Sequence, residues 1–209
     1  MQNDPDIPFN DSNMIAISAL IERWQTGDER AAQALYDHFW DRTFWLAYGL
    51  LGDPDDAEEV AQDALYYALS NIARFDPNRA AFSTWLHTIT VSRSRNRHRR
   101  RRFNWSSLTT WLTRGSDMPD PSPGQEKKVI RTEAKSEVWK AVQSLSPRLR
   151  EAVLLRYWAG HTYREMADIL GCPVPTAQSR VRLAFQRLRT DLAPENLVDL
   201  GDVEERITR

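Results

Sequence analysis

The chain has 209 residues, 41% of them apolar and eight of them Trp, enough for one medium or two small packed domains. One cysteine, Cys172, excludes an intrachain disulfide and a cysteine metal cluster and points to a reducing, cytoplasmic setting. The opening MQNDPDIPFNDSN is too polar for a signal peptide, and no apolar run approaches the roughly 18 residues of a membrane span, so no membrane insertion is expected.

The net charge of −1 hides a strong segregation. Residues 1–72 hold 14 acids against 3 bases, and 73–102 hold 9 bases against 1 acid. Residues 103–132 are nearly balanced, 133–190 hold 10 bases against 5 acids, and 191–209 hold 6 acids against 2 bases. Such a pattern suggests two basic surfaces for a polyanion and acidic surfaces for another partner.

After a disordered acidic start, 1–13, a helical stripe of Met14, Ile17, Leu20, Ile21 and Trp24 opens the first domain. Gly27 and Asp28 break and recap the chain, and a second helix over about 28–51 carries Ala32, Leu35, Phe39, Leu46 and Leu50. Asp53 and Pro54 have the chemistry of an N-cap and a first helical residue. The third helix they open repeats apolar residues at Ala57, Val60, Ala61, Ala64, Leu65, Ala68, Leu69 and Ile72. A loop over 74–79 follows, then a fourth helix from near Ser83 to Arg102.

Residues 103–132 are rich in Ser, Thr, Pro and Gly and read as a flexible linker, although Trp105 and Trp111 suggest that part of it docks on something. In the second domain, 133–190, Ser146-Pro147 starts one helix and Thr162 with Glu165 forms a capping box for the next. Gly171 ends that helix in a tight turn. Pro175 opens a last helix whose Ala177, Val181, Ala184, Phe185 and Leu188 face inward. An acidic tail, 191–209, closes the chain. The expected fold class is all-α: two small helical domains, 14–102 and 133–190, joined by a flexible linker, the second a helix-turn-helix domain.

The last helix shows the outside Thr176, Gln178, Ser179, Arg180 and Arg182, whose amide, hydroxyl and guanidinium groups can pair with base edges in a major groove. Arg148, Arg150 and Arg164 could neutralise flanking phosphates. A solvated basic face is the plainer alternative. On the third helix, Glu59, Gln62, Asp63 and Tyr66 form an outward stripe suited to a partner. The dense carboxylates there could also suggest a metal, but no His joins them, and acids at a helix start already complement its dipole.

Seven arginines fall within 93–102, a density that must face phosphate or solvent. Phe75, Phe82 and Trp85 could stack bases or be plain core, and for Trp85 core is favoured, since it lies in a helix's first turn beside Leu86. His38, His87, His98 and His161 are scattered. With no Ser/His/Asp set and no phosphate-cradling Gly loop, neither an enzyme nor a cofactor is expected.

The segment LSPRLREAVLLRYWAGHTYREMADILGCPVPTAQSRVRLAFQRLR resembles the −35-reading domain of extracytoplasmic-function (ECF) sigma factors, with Gln178 and Leu183 standing where that family often has basic residues. Ala57-Glu58-Glu59-Val60-Ala61-Gln62-Asp63 resembles its core-polymerase-binding region, and ARFDPNRAAFSTWLHTIT its −10 element. The two motif sets stand in the family's order, with no room for a middle domain.

The resemblance implies a transcription initiation factor that brings core RNA polymerase to promoters and helps melt them. Glu59, Gln62, Asp63 and Tyr66 would meet the polymerase clamp, the second domain its flap. Arg74, Phe75, Asp76, Asn78, Arg79, Thr84, Trp85 and Thr88 would hold the −10 element, including a flipped base of the non-template single strand. Arg93, Arg95, Arg99, Arg100, Arg148 and Arg164 would hold duplex phosphates. Thr176, Gln178, Ser179, Arg180 and Arg182 would read the −35 element. The resemblance also admits an anti-sigma factor as a partner. The alternative is a helix-turn-helix regulator that acts without polymerase.

Overall fold

In the computed structural model the backbone is described over residues 11–112 and 133–192, and the side chains over 16–100 and 138–192. The expectations for 1–10, for 113–132 of the linker and for 193–209 of the tail lie outside the described residues.

Every element among the described residues is helical. The first domain holds α1 (Asp11–Gln25), α2 (Glu29–Leu51), α3 (Pro54–Ser70), a 3₁₀ turn (Ile72–Arg74) and α4 (Phe82–Leu112). The second holds α5 (Glu133–Ser144), α6 (Pro147–Val153), α7 (Tyr163–Leu170) and α8 (Val174–Asp191).

The helix ends follow their local chemistry. Asp28 caps α2 by accepting from the Arg30 amide at 3.0 Å and also pairs with Arg23 at 2.7 Å. Asp53 caps α3 by accepting from the Asp56 amide at 2.9 Å, with Pro54 in the first turn, where a missing N–H costs nothing. The capping box of α7 is complete: the Thr162 hydroxyl accepts from the Glu165 amide at 3.3 Å, and the Glu165 carboxylate accepts from the Thr162 amide at 2.8 Å.

Several features differ from the sequence reading, among them the start of α1, whose Asp11 lies inside the stretch 1–13 expected to be disordered. α4 runs ten residues past Arg102, so the start of the expected linker, with Trp105 and Trp111, is helical. On α2, Ala31 rather than Ala32 is buried. The helix begun at Pro147 does not stay α-helical: residues Leu154–Trp158 form a π turn, in which the Ala159 amide reaches back five residues to the Leu154 carbonyl at 2.9 Å.

The larger of the apolar clusters confined to the first domain lies between α1, α2, α3 and α4. Ile21, Leu35, Phe39, Leu65, Ile72, Phe75, Phe82 and Leu86 form its centre, with Trp24 donating to the Leu69 carbonyl at 2.9 Å to close α1 over it. The second large cluster crosses the boundary between the domains. Leu46 and Leu50 of α2 and Val91 of α4 pack with Ala141, Leu145, Leu154, Met166, Val181 and Leu188 of the second domain. Gly49 makes that approach possible, because a Cβ there would stand 2.9 Å from a methyl of Leu154. The two domains are therefore docked on each other, which the sequence reading did not anticipate.

Candidate nucleic-acid and partner interfaces

α3 turns Ala57, Val60, Ala61, Ala64, Leu65 and Ala68 inward, which leaves Glu59, Gln62, Asp63 and Tyr66 in solvent. Tyr66 is 73% exposed, an unusual position for a large aromatic side chain. α4 lies along the neighbouring edge and braces it. Arg97 pairs with Asp56 at 2.6 Å and Glu59 at 2.8 Å, and Arg93 reaches Asp63 at 3.5 Å while lying over the Tyr67 ring at 5.2 Å. The arginine block thus has a structural share: Arg93 and Arg97 face acids of α3 as well as solvent.

The end of the 3₁₀ turn presents Arg74 outward, and the loop after it Asp76, Asn78 and Arg79. Its bend is held by Asp76, whose carboxylate accepts from the Asn78 amide at 2.9 Å and from the Asn78 side chain at 3.2 Å. Phe75 points the other way, into Phe82 at 5.4 Å and Trp85 at 5.6 Å between ring centres. Buried there, Phe75 anchors the loop and is in no position to stack on a base, which corrects the place given to it on the −10 surface. Trp85 is half-buried in the same aromatic group.

Further along α4 the second domain covers the helix. Thr84 is buried, and its hydroxyl donates to the Glu165 carboxylate at 3.3 Å. Thr88 is half-buried and donates to the Thr84 carbonyl at 2.9 Å. Arg95 makes two parallel bonds to Glu151, at 2.8 and 2.7 Å, with the Glu151 side chain only 6% exposed. Such a fork-to-fork pair is directional and holds the Arg95 guanidinium charged, although its Arg95 side is open to solvent and screened. Arg99 and Arg100 remain exposed, with Arg99 donating to its neighbour Asn96 at 3.2 Å.

In the second domain α8 turns Ala177, Val181, Ala184, Phe185 and Leu188 inward, as its period requires. Gln178 and Arg182 are exposed, and Thr176, Ser179 and Arg180 half-exposed, so the five stand together on the outer side of the second helix of the motif. Arg148 and Arg164 are exposed. Arg150, expected at phosphate, is buried instead. Its guanidinium donates to the Leu50 carbonyl at 3.0 Å, to the Leu145 carbonyl at 3.1 Å and to the Gln143 carbonyl. Two of these acceptors belong to the last residues before α6, and the third to the C-terminal end of α2, where carbonyls lack helical partners.

The sequence reading missed the groups at this junction. Gln143 donates to the Gly49 carbonyl at 2.8 Å, Tyr48 stacks on Trp139 at 5.0 Å, and His87 meets His161 at 2.7 Å. No local signal marks them, since each finds its partner more than 70 residues away in the chain. Among the described residues no cluster of three or more His, Cys, Asp or Glu is placed to hold a metal ion, and no helix is long and apolar enough to cross a membrane.

Residues 35–104 match the family model for Sigma-70 region 2, and residues 135–188 match Sigma-70, region 4. The chain is 29% identical to the ECF RNA polymerase sigma factor SigW of Bacillus subtilis, over 84% of this chain and 96% of that one. It is 30% identical to the RNA polymerase sigma-H factor of Pseudomonas aeruginosa, over 84% of this chain and 93% of that one. The sigma factor RpoE of Bartonella quintana, solved with the anti-sigma factor NepR, shares the fold at a TM-score of 0.56 and 24% identity, covering 76% of this chain and 94% of that one. CnrH, solved with the cytosolic domain of CnrY, does so at a TM-score of 0.58 and 22% identity, over 82% of this chain and 94% of that one.

Proposed function

The chain belongs to the sigma-70 family, in its extracytoplasmic-function group of RNA polymerase sigma factors, and we propose from that premise which surfaces do the work. The stripe Glu59, Gln62, Asp63 and Tyr66 docks on the clamp of core RNA polymerase. The loop residues Arg74, Asp76, Asn78 and Arg79, with Thr84, Trp85 and Thr88 of α4, take the −10 element and a flipped base of its non-template strand. Thr176, Gln178, Ser179, Arg180 and Arg182 read the −35 element, while Arg148 and Arg164, with Arg93, Arg95, Arg99 and Arg100 on the first domain, hold phosphates on either side. The second domain also meets the polymerase flap, and an anti-sigma factor is a further partner. The protein works by positioning, with no catalysis of its own, in the cytoplasm.

One observation carries this reading over that of a regulator acting without polymerase. α3 keeps a large aromatic ring and a row of acids in solvent, on a face with no use for DNA, and that face sits on the same domain as an exposed polar loop. Asp63→Lys tests it. The residue is exposed, so the fold should stand, while affinity for core polymerase should fall at least tenfold and run-off transcription with it. Unchanged affinity in a titration would remove this face from the interface.

A further inference from the structure

The second domain sits on the part of α4 that the proposed function gives to the −10 element. Its polar contacts there among the described residues include Thr84 with Glu165, Arg95 with Glu151 and, between them, His87 with His161. Both histidines are 3% exposed. His87 Nδ1 and His161 Nε2 stand 2.7 Å apart with the rings nearly perpendicular, at 84°. At that distance one N–H must lie between the nitrogens, one ring donating and the other accepting.

The surroundings set which. The Glu165 carboxylate is 3.8 Å from His161 Nδ1, favouring a proton on that nitrogen, so His161 Nε2 accepts and His87 Nδ1 donates. Both rings are then neutral. One extra proton can be held on His161, with Glu165 as its counter-ion and His87 changed to the accepting tautomer. A second cannot: two N–H groups would face each other across 2.7 Å. The charges around His87 do not help. Arg42 of α2 repels a cation there, and Arg156 donates to the His161 backbone carbonyl at 2.9 Å, so it offers the rings no negative partner.

Resting on the assignment of α4 to the −10 element, we propose that this contact is an acid-released latch: the neutral His87–His161 pair seats the helix-turn-helix domain over α4, and proton uptake by the pair unseats it. Burial, then His161 and then Arg42, push His87 from its ordinary 6.5 down to about 3. Burial also lowers His161, against the pull of Glu165. In the undocked chain both rings return toward about 6.5. Groups lowered in the docked form favour docking fully above about pH 6.5, and that contribution is lost as the pH falls. Each proton held only by the open form multiplies the open-to-closed ratio about tenfold per pH unit below that point. From about pH 7.5 to 5.5 the ratio therefore rises about tenfold for one such proton and about a hundredfold for two.

Small-angle X-ray scattering of the full chain from pH 7.5 to 5.5 tests the latch, with circular dichroism to confirm folding. The extended population should rise at least tenfold relative to the closed one, reversibly. The double variant His87→Gln, His161→Gln should lose that response whatever its resting position. Glu165→Gln, which keeps the cap of α7, removes the counter-ion and should enlarge the opening at pH 5.5. Scattering that does not change with pH, a double variant that keeps the wild-type response, or an unchanged opening in Glu165→Gln would each overturn the proposal. Run-off transcription with core polymerase at pH 7.5 stands apart from these readings. If transcription is present and the scattering does not change, the latch fails and the sigma assignment stands. If the chain opens with acid but supports no transcription, the assignment fails instead.

Discussion

The two surfaces proposed to read promoter DNA are kept very differently. On α8 the reading side chains stand open, with Gln178 and Arg182 in solvent and Thr176, Ser179 and Arg180 half-exposed. On α4 the equivalent groups are engaged. Thr84 is under Glu165 and Arg95 is in the fork of Glu151, while Arg93 turns to Asp63 of its own domain and Arg99 and Arg100 beyond them are exposed. The open surface can be tuned only by which side chains it carries. The covered one can also be controlled by whatever moves its cover, and it is covered by the very domain that carries the other.

Substitutions at the cover should separate these two behaviours. The largest effect is expected from Arg150→Met. Three carbonyls lose a charged donor, and at about 1.5–3 kcal/mol net for each such bond, partly regained by apolar packing, stability should fall by about 3 kcal/mol. Urea denaturation measures it, and a loss below about 1 kcal/mol would mean that Arg150 does not hold the domains together. Arg182→Ala should leave stability alone and weaken −35 binding by about 1–3 kcal/mol, concentrated at one base pair. Equal losses on every −35 variant would make Arg182 a phosphate contact.

Glu151→Gln should loosen the cover. Its partner Arg95 is 42% exposed, so the solvent-screened pair contributes about 1 kcal/mol or less. Binding of a single-stranded −10 oligonucleotide should strengthen a few-fold as Arg95 is released, and weaker binding would contradict the occlusion of this face. The smallest effect is expected from Arg99→Ser with Arg100→Ser, which should flatten the salt dependence of promoter binding by about 0.9 in slope for each phosphate left without its arginine. An unchanged slope would leave these two side chains in solvent, with no hold on DNA.

What could be read beforehand follows the range of the forces involved. Caps and periodicity act over one helical turn, so Asp53-Pro54, Thr162 with Glu165, and the inward set of α8 were all legible. The outward stripe of α3 followed from the same period. The docking was not legible, because it depends on Gly49 clearing Leu154 and on Arg150 reaching Leu50, 100 residues away. Arginines were assigned by type to phosphate or solvent, yet Arg150 and Arg95 serve carbonyls and a carboxylate within the fold. Histidines that looked scattered meet because the loop before α7 carries His161 onto His87 of α4. The extension of α4 past Arg102 contradicts the Ser- and Thr-rich composition of that stretch, which signalled a linker.

The π turn at Leu154–Trp158 makes the junction sensitive to chain length rather than to chemistry. A π turn spends one residue more per turn than an α-helix, so the chain leaves it rotated by about 100° from where an uninterrupted helix would end. Gly160, with its φ of 73°, and His161 start from that rotated position. Deleting one residue from this stretch would let the α repeat close up again without moving Ala152, which precedes it in the core. His161 would then set off in the wrong direction and miss α4. The outcome would be a helix-turn-helix that still folds and still reads duplex DNA but no longer seats on its neighbour, a frame error in three dimensions caused by a single codon.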